Sequence, residues 1–499
     1  MSVDVDTEAD VHPISPWIYG DNGAEFDTWG AHLTLGRSGG NRLTAYNWEN
    51  NASNAGTDWY NQNDGYLGGG EVPGEAVRPW VQAARDHGAG YVVTVPIQGY
   101  VAADKDGDGD VGATPNYLDA RFHPSVSTKG APFDASPDPD DGIVYQDEFV
   151  AWLLDTFPGA TDGSEPPILF SLDNEPDLWA STHPRIHPDP VRYDELVADT
   201  IDYGGAIKAV DPAAIVMGPV SYGWYGYLTL QDAPDQAGRD FLDTWLAEMA
   251  AAEADAGQRL VDVMDLHWYP EATDGAYGPR ITDDGAGASL AAARVQTPRS
   301  LWDDTYTETS WITQWSTYGP IALIPRMKEK IAANYPGTEL AFTEYYYGGG
   351  DDISGGLAEA DVLGIFGAFD VYAATLWHLG GTDDSYIHAA YDLYRDFDGA
   401  GSAFGATSVS ATTSDREAAS AWASVEGDAV YVVLINKDTS DHTFGLRVWN
   451  PLLLTTATPY ALGPDAARVV PGAPIPISAT NALSLTVPAR TAELVVLTP

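Results

Sequence analysis

The chain has 499 residues, enough to bury the core of one large domain and a smaller one. Its 73 acidic and 24 basic residues give a formal net charge of -49, which excludes nucleic acid as a partner because phosphates would be repelled. The chain has no cysteine, so disulfides, thiolate metal ligands and thiol nucleophiles are also excluded.

The charge imbalance also bears on the conditions under which the chain folds. Self-repulsion at this net charge destabilises a compact state unless salt screens it. At about 1 M salt the Debye length falls to about 3 Å, which removes most of that penalty. The composition therefore predicts a halophilic or salt-adapted protein.

From the N-terminus to about residue 380, short apolar runs alternate with segments of helical periodicity. Eight strands alternating with helices are typical of an α/β fold, the (β/α)8 TIM-like barrel. The predicted strands are residues 17–20, 34–37, 91–95, 168–172, 214–217, 263–267, 340–343 and 374–377. The predicted helices include residues 76–87, 146–157, 194–210 and 240–256.

After about residue 400 the pattern changes to short strands divided by Pro, Gly and Asn turns, with no helical segment between them. This pattern predicts a C-terminal antiparallel β-sandwich domain of roughly 100 residues. Its strands are residues 421–426, 428–436, 442–448 and 492–497. We expect three segments: residues 1–16 as an N-terminal strand of the sandwich, 17–398 as the barrel, and 399–499 as the sandwich domain.

Residues 104–110 repeat the start of an EF-hand loop, with carboxylates on alternate residues. The position that would carry the bidentate glutamate of such a loop is occupied by Pro115. A solvated loop rich in Asp and Gly is the alternative. Under the first interpretation, a structural Ca²⁺ has the ligands Asp104, Asp106, Asp108 and Asp110.

The segment after the fourth predicted strand carries the first functional signal. An apolar run at residues 168–172 delivers Asn174 and Glu175 to its C-terminal end, and Pro176 stops the strand. A carboxylate beside an amide that can bind a sugar hydroxyl suits acid and base catalysis on a glycosidic bond. The alternative is an ordinary Asn-Glu-Pro turn.

A second carboxylate decides between these interpretations. Glu344 follows the seventh predicted strand as Glu175 follows the fourth. Because functional residues of a (β/α)8 barrel gather at the C-terminal ends of its strands, the two glutamates could face each other across the barrel mouth. The alternative for Glu344 is a structural ion pair with an arginine such as Arg37.

Four longer segments carry a family resemblance: residues 39–60, 170–179, 265–270 and 342–345. Together they resemble glycoside hydrolase family 44, and the resemblance covers nearly the whole chain. It implies an endo-acting β-1,4-glucanase, acting on cellulose-type chains, carboxymethyl cellulose or xyloglucan, with no cofactor for catalysis. Some members of the family hold a structural cation.

The family also implies a location and a partner. Most members are secreted, and the first eight residues have neither the basic nor the apolar region of a signal peptide, so we expect the signal segment to be absent from this sequence. No apolar run approaches the roughly 18 residues of a membrane span. We expect a monomer whose partner is a polysaccharide.

The resemblance assigns roles to the carboxylate pair. Glu175 is expected to be the general acid and base, and Glu344 the nucleophile of a double displacement with retention, for which the carboxyl groups stand about 5–5.5 Å apart. Asn174 is expected to bind the 2-hydroxyl, while Tyr269 or Tyr345 holds the nucleophile. The further candidates for substrate binding, each of which could equally be a structural residue, are Arg37, Asn47, Trp48, Trp59, Tyr60, His267, Trp268 and Trp377.

Two other functions remain open at this stage. A retaining barrel glycosidase acting on xylan or mannan would carry the same carboxylates. Initial rates on xyloglucan, carboxymethyl cellulose, xylan and mannan would distinguish it from a glucanase. A non-catalytic glycan-binding surface protein would not depend on either glutamate. Loss of all hydrolysis on Glu344→Gln substitution would eliminate that possibility.

Overall fold

The computed structural model of the chain describes residues 1–29, 32–130, 133, 136–283, 285, 287–379, 383–477 and 480–499. Across these ranges, each helix is too short or too polar to cross a bilayer. The strands in chain order are β1 (Ser2–Asp6), β2 (His12–Pro13), β3 (Gly20–Asn22), β4 (Leu35–Ser38), β5 (Ser53–Asn54), β6 (Asn63–Asp64), β7 (Gly90–Val95), β8 (Tyr100–Ala102), β9 (Phe122–Val126), β10 (Val144–Tyr145), β11 (Ile168–Leu172), β12 (Ile215–Ser221), β13 (Val263–Trp268), β14 (Glu339–Tyr345), β15 (Ala373–Leu376), β16 (Thr407–Thr413), β17 (Ala419–Glu426), β18 (Ala429–Asn436), β19 (His442–Trp449), β20 (Thr456–Gly463), β21 (Ala466–Pro471), β22 (Ile475–Pro476), β23 (Ala482–Val487) and β24 (Thr491–Thr498).

The helices are concentrated before residue 400. In chain order they are α1 (Phe26–Trp29), α2 (Asn41–Thr44), α3 (Arg78–Asp86), α4 (Tyr117–Arg121), α5 (Gln146–Thr156), α6 (Trp179–Thr182), α7 (Tyr193–Val210), α8 (Trp224–Thr229), α9 (Phe241–Ala256), α10 (Ala288–Gln296), α11 (Trp311–Trp315), α12 (Leu323–Asn334), α13 (Ile353–Ala368) and α14 (Ser385–Arg395). Short 3₁₀ helices are formed by Pro16–Ile18, Gly56–Trp59, Val111–Ala113, Pro176–Leu178 and Thr297–Leu301.

Eight parallel strands close into a barrel in the order β3, β4, β7, β11, β12, β13, β14 and β15, and β15 pairs back onto β3. The strands β7 and β11 are buried over their whole length, as expected for strands covered on both faces. Seven of the strands each contribute one residue to a separate small core cluster, which is typical of a side-chain layer inside a barrel. The predicted (β/α)8 barrel is confirmed.

The first barrel strand begins later than the sequence predicts. Residues 17–20 were expected to be extended, but Pro16–Ile18 forms a 3₁₀ turn and the strand is Gly20–Asn22. The hydroxyl of Ser15 accepts a hydrogen bond from the backbone N–H of Trp17, and Pro16 has the fixed φ that favours a first helical turn. This local capping outweighs the apolar character of the segment.

A second core lies in the C-terminal sheet. The eleven-stranded sheet runs from β21 to β23, and one buried cluster contains side chains from strands that are far apart in this order, such as Val495 on β24 and Leu485 on β23. The sheet therefore folds over its own apolar face, which confirms the predicted sandwich. Strand β1 lies in this sheet, antiparallel to β16 but parallel to β19.

A buried ion pair joins the barrel to the sandwich. Lys437, which follows β18, contacts Asp361 of α13 at 2.7 Å, and both side chains are at most 1% exposed. The carboxylate of Asp361 also accepts hydrogen bonds from Trp422 and Ser420 of β17. Because a buried charge is costly without its partner, this contact fixes the sandwich against α13. The domain boundaries at residues 16 and 398 stay a prediction.

Candidate active site

The barrel brings the predicted polar side chains to one mouth. Arg37 lies on β4, Asn174 and Glu175 follow β11, and Glu344 lies near the end of β14. The register of β13 against β14 places His267 opposite Glu344. All of these residues stand at the C-terminal ends of parallel strands, where such a barrel carries its functional side chains.

Glu344 has a bonded partner on each of its oxygens. The Arg37 guanidinium donates to Oε1 at 2.8 Å, and this arginine is fully buried. The Tyr269 hydroxyl donates to Oε2 at 2.7 Å. A charge-assisted bond of this kind is stronger than one between neutral groups and fixes the orientation of the carboxyl group. The predicted structural alternative for Glu344, an ion pair with Arg37, is thus present within the same site.

Among the described residues, Glu175 has fewer hydrogen-bond partners than Glu344. Its Oε1 lies 2.9 Å from Nδ1 of His267. Burial raises the pKa of Glu175 to about 7, while the Arg37 charge opposes this rise and the Asp58 charge adds to it. The carboxyl group therefore keeps a proton close to neutral pH, as a general acid requires.

His267 bridges the two glutamates as a neutral ring. Burial lowers the pKa of His267 to about 3, so the ring carries a single N–H at neutral pH. Its Nδ1 faces Glu175 at 2.9 Å and Glu344 at 3.3 Å, whereas its buried Nε2 has no hydrogen-bond partner among the described residues. We therefore assign the proton to Nδ1, which donates a hydrogen bond to the carboxyl oxygens of Glu175 and Glu344 that face it.

The two carboxyl groups are close together. One oxygen of Glu175, one oxygen of Glu344 and the ring nitrogen of His267 all lie within 4.8 Å of one another. Three such groups at this spacing could ligate a cation, but the Arg37 charge already compensates Glu344, and metal binding would require Glu175 to lose its proton. The arrangement suits acid and nucleophile chemistry between two carboxyls better than metal binding.

Asn174 has one end of its amide fixed. Its Oδ1 accepts hydrogen bonds from Nη2 of Arg37 at 3.0 Å and from the backbone N–H of Gly40 at 3.2 Å. Its Nδ2 donates to Oδ1 of Asn41 at 3.4 Å. Because these contacts orient the amide and use one of its hydrogens, the second hydrogen is available to an acceptor in the cleft.

Two predicted substrate contacts lie in the core instead. The Trp48 indole is fully buried against Phe149 and Trp152, so it cannot stack on a sugar. The Asn47 amide donates to the backbone of Ala102 and accepts from the N–H of Glu49. Both predictions were wrong for the same reason: this segment folds inward, and its side chains bond to backbone groups such as the carbonyls of Ala102 and Tyr145.

Two further predictions, Tyr345 as a contact of Glu344 and Trp268 as a substrate contact, are also wrong. The hydroxyl of Tyr345 donates to Oε1 of Glu359 at 2.7 Å, and the side chain is fully buried. Neighbouring residues of a strand point to opposite faces, so Tyr345 cannot share the direction of Glu344. Tyr269 alone of the two candidates touches the nucleophile position. Trp268 is only 2% exposed and packs in the core.

Other aromatic side chains stand where a ligand can reach them. Trp59 and Tyr60, in the loop after β4, are 48% and 70% exposed, with ring centroids 5.2 Å apart. Trp377, after β15, lines a cavity of about 620 Å³ that also borders Arg37. Tyr225 and Trp311, which are not among the residues predicted from the sequence, form a stacked pair with centroids 4.7 Å apart in the segments after β12 and β13. Their position after predicted strands was the available signal.

The predicted calcium loop does not fit a calcium ion. Asp104 and Asp108 contact Arg121 at 2.7 and 2.8 Å, and Asp106 lies 3.9 Å from the same side chain. Asp110 pairs with Arg185 at 2.6 Å. Two guanidinium groups thus supply the positive charge that the sequence prediction gave to Ca²⁺. The sequence pattern of the loop could not reveal them, because both arginines lie outside it.

A family model and several known proteins are similar to this chain. The model of Glycoside hydrolase family 44 matches residues 52–272. Endoglucanase A of Paenibacillus lautus is 45% identical over 460 residues, covering 88% of this chain and 64% of that protein. Beta-mannanase/endoglucanase A of Caldicellulosiruptor saccharolyticus is 42% identical over 470 residues, covering 88% and 34%. The chain thus spans 64% and 34% of the length of these curated relatives.

A solved structure covers the chain completely. A family 44 xyloglucanase of Paenibacillus polymyxa, determined with xyloglucan, superposes with a TM-score of 0.93. It is 41% identical, and the match covers 100% of this chain and 99% of that chain. The similarity therefore extends over the barrel and the sandwich together.

Because Glu175 is buried with its proton, the free energy of unfolding should fall as the pH rises. The pKa of Glu175 is about 7 in the fold but about 4.3 in an unfolded chain. The contribution of this group to stability is therefore fully present below the lower pKa and is lost as pH rises through the higher one. Glu175→Gln does not ionise, so we expect it to exceed the native chain in stability by roughly 3 kcal/mol at pH 8 and to match it near pH 4.

Urea unfolding of both chains at pH 4, 6 and 8 measures this difference. The exposed Glu165→Gln controls for the loss of one negative charge at the surface. A difference between the Glu175→Gln chain and the native chain that stays constant with pH would show that the carboxyl is not held protonated.

Proposed function

The chain belongs to glycoside hydrolase family 44, and on that premise we propose that it is a retaining endo-β-1,4-glucanase. Its proposed substrates are cellulose-type chains, carboxymethyl cellulose and xyloglucan. The observation that carries the proposal is the short distance between Glu175 and Glu344, with oxygens within 4.8 Å of each other. Carboxyl groups about 5–5.5 Å apart serve retention, whereas inversion needs about 6.5–9.5 Å to admit a water.

In the first step, Glu344 attacks the anomeric carbon while Glu175 gives its proton to the departing glycosidic oxygen. The product is a glycosyl ester on Glu344, and the negative charge has moved to Glu175. Arg37 and Tyr269 hold the nucleophile in place before the attack. Since Arg37 also acts on the pKa of Glu175 by lowering it, the same cation favours the charge in its new position.

In the second step, Glu175 acts as the base. It takes a proton from water, the oxygen of that water attacks the anomeric carbon, and Glu344 departs as a carboxylate. Glu175 is then protonated again and the cycle closes. Both steps use only carboxyl groups of the chain, so the proposed reaction requires no cofactor.

The polar contacts around the pair support the assignment of the other residues. Asn174, whose Oδ1 is held by Arg37, has an amide hydrogen for the 2-hydroxyl of the reacting sugar. The N–H of His267 holds Glu175 in reach of Glu344. Trp377, beside Arg37 in the cavity, is the proposed stacking surface nearest the reacting carbon.

An endo-acting enzyme must bind several sugars on both sides of the cut bond. Exposed rings at Trp59 and Tyr60 and the stacked pair of Tyr225 and Trp311 stand in segments that follow β4, β12 and β13. Ring faces of this kind bind the apolar faces of sugars. Mannan is the second candidate substrate, because one curated relative is named as both a mannanase and an endoglucanase.

We further propose a secreted monomer adapted to salt. A polysaccharide is too large to enter a cell, so an enzyme that cuts it has to act outside. The net charge of -49 supports the salt requirement, because repulsion on this scale opposes a compact fold when it is not screened.

Covalent trapping tests the role of Glu344. An activated 2-deoxy-2-fluoro cellobioside should form an ester on the nucleophile that hydrolyses slowly, and peptide mass spectrometry should locate the label on Glu344. Glu344→Gln should take no label and should lose at least about 10³-fold in kcat on carboxymethyl cellulose. Glu339→Gln, at the opposite end of the same strand, is the matched control and should keep both properties. A label on any other residue would refute the assignment.

Thermal unfolding in salt tests the proposed adaptation. Between 0.05 and about 2 M NaCl the melting temperature should rise steeply and then level off, because screening is nearly complete once the Debye length is about 3 Å. Potassium chloride should act in the same way, since screening depends on ionic strength. A melting temperature that does not change with salt would contradict the proposal.

A further inference from the structure

The general acid lies at the centre of a strained turn, residues 173–177. Asp173 and Glu175 adopt φ angles of 68° and 45°, in the left-handed region that side-chain-bearing residues rarely occupy. Backbone strain of this kind costs about 1–3 kcal/mol for each residue and persists only where the surroundings impose it. Two such residues in one turn therefore require strong bonds to the neighbouring elements.

Asp173 ties the turn to the segment after β7. Its Oδ2 accepts hydrogen bonds from the backbone N–H groups of Ile97 and Gln98 at 2.7 and 3.2 Å. Its Oδ1 accepts from the N–H of Asn174 at 2.8 Å, inside the turn itself. The residue is fully buried, so these bonds do not compete with solvent.

Asp177 connects the other side of the turn to the C-terminal end of β12. Its Oδ2 accepts from the hydroxyl of Ser221 at 3.0 Å and from the N–H of Tyr222 at 3.1 Å. The N–H of Glu175 itself donates to the carbonyl of Val220 at 3.0 Å. The turn that carries the general acid is thus bonded on both sides to the strands that flank β11, namely β7 and β12.

Packing also confines Asp177. A Cβ added at Gly226, in α8, would lie 2.0 Å from Oδ2 of Asp177. Burial raises the pKa of Asp173 to about 6 and that of Asp177 to about 8, the charge of Glu175 adding to the latter. Burial of two carboxyl groups at the end of one strand is energetically unfavourable. The turn between them carries the catalytic side chain.

We propose that Asp173 and Asp177 are positioning residues, a pair that clamps the turn from both sides and so aims the carboxyl of Glu175 at the glycosidic oxygen. This inference rests on the proposed role of Glu175 as the general acid. Neither aspartate touches the substrate. A displacement of the acid by about 1 Å costs on the order of 10²-fold in rate.

Two substrates with different leaving groups distinguish a misplaced general acid from a general loss of structure. Glucan hydrolysis needs a proton from Glu175, whereas 2,4-dinitrophenyl β-cellobioside has a leaving group that departs without one. The readout is kcat/KM, which reports the first chemical step for both substrates. Asp177→Ala should lose about 10²-fold on carboxymethyl cellulose and less than about threefold on the dinitrophenyl substrate. Asp177→Asn keeps an acceptor oxygen of the same shape and should restore most of the glucan activity.

Two further variants guard against a folding defect. Gly226→Ala displaces Asp177 while leaving every hydrogen-bonding group of the turn in place, and it should show the same selective loss. Asp235→Ala is the matched control, because that carboxylate also accepts two backbone N–H bonds, from Tyr193 and Asp194 at the N-terminus of helix α7, and bonds to no residue of the turn 173–177 among the described residues. It should leave both activities unchanged.

If Asp177→Ala and Gly226→Ala lowered kcat/KM equally on both substrates, or did not lower it on glucan, the proposed positioning role would be wrong. Glu175→Ala, measured alongside, should itself lose glucan activity selectively. If that variant lost both activities equally, the acid role of Glu175 would be wrong, and the clamp would fall together with the proposed function.

Discussion

One buried guanidinium gives different roles to two chemically identical carboxyl groups. Arg37 is fully buried and donates at 2.8 Å to Glu344, while Glu175 accepts the N–H of a neutral His267. No cation among the described residues is bonded to Glu175, and burial raises its pKa to about 7. A nucleophile paired with a cation and a protonated acid thus stand side by side.

The local sequence around Arg37 serves this placement. An added Cβ at Gly39 would lie 2.1 Å from the Arg37 guanidinium carbon. The Arg37 side chain therefore fits only because residue 39 is a glycine. Its second terminal nitrogen orients Asn174, which connects the nucleophile to the sugar contact. The barrel supplies the remaining condition, because only its closed strand order brings β4, β11 and β14 to one mouth.

The sequence predicted the parts of the site that depend on periodicity and chain order. Apolar runs located seven barrel strands to within a few residues, and the glutamates at two strand ends followed from them. It could not predict which loop side chains turn inward, so Trp48 was taken for a sugar contact although it packs in the core. Nor could it pair the acidic loop with Arg185, because that contact joins residues far apart in the chain.

The stereochemistry of the first product tests the central claim most directly. A cello-oligosaccharide can be cleaved by a large amount of enzyme while proton NMR spectra are taken every few seconds. Because one oxygen of Glu175 and one oxygen of Glu344 lie within 4.8 Å of each other, the new reducing end should appear first as the β-anomer, before mutarotation produces the α-anomer. Initial formation of the α-anomer would mean inversion and would contradict the account.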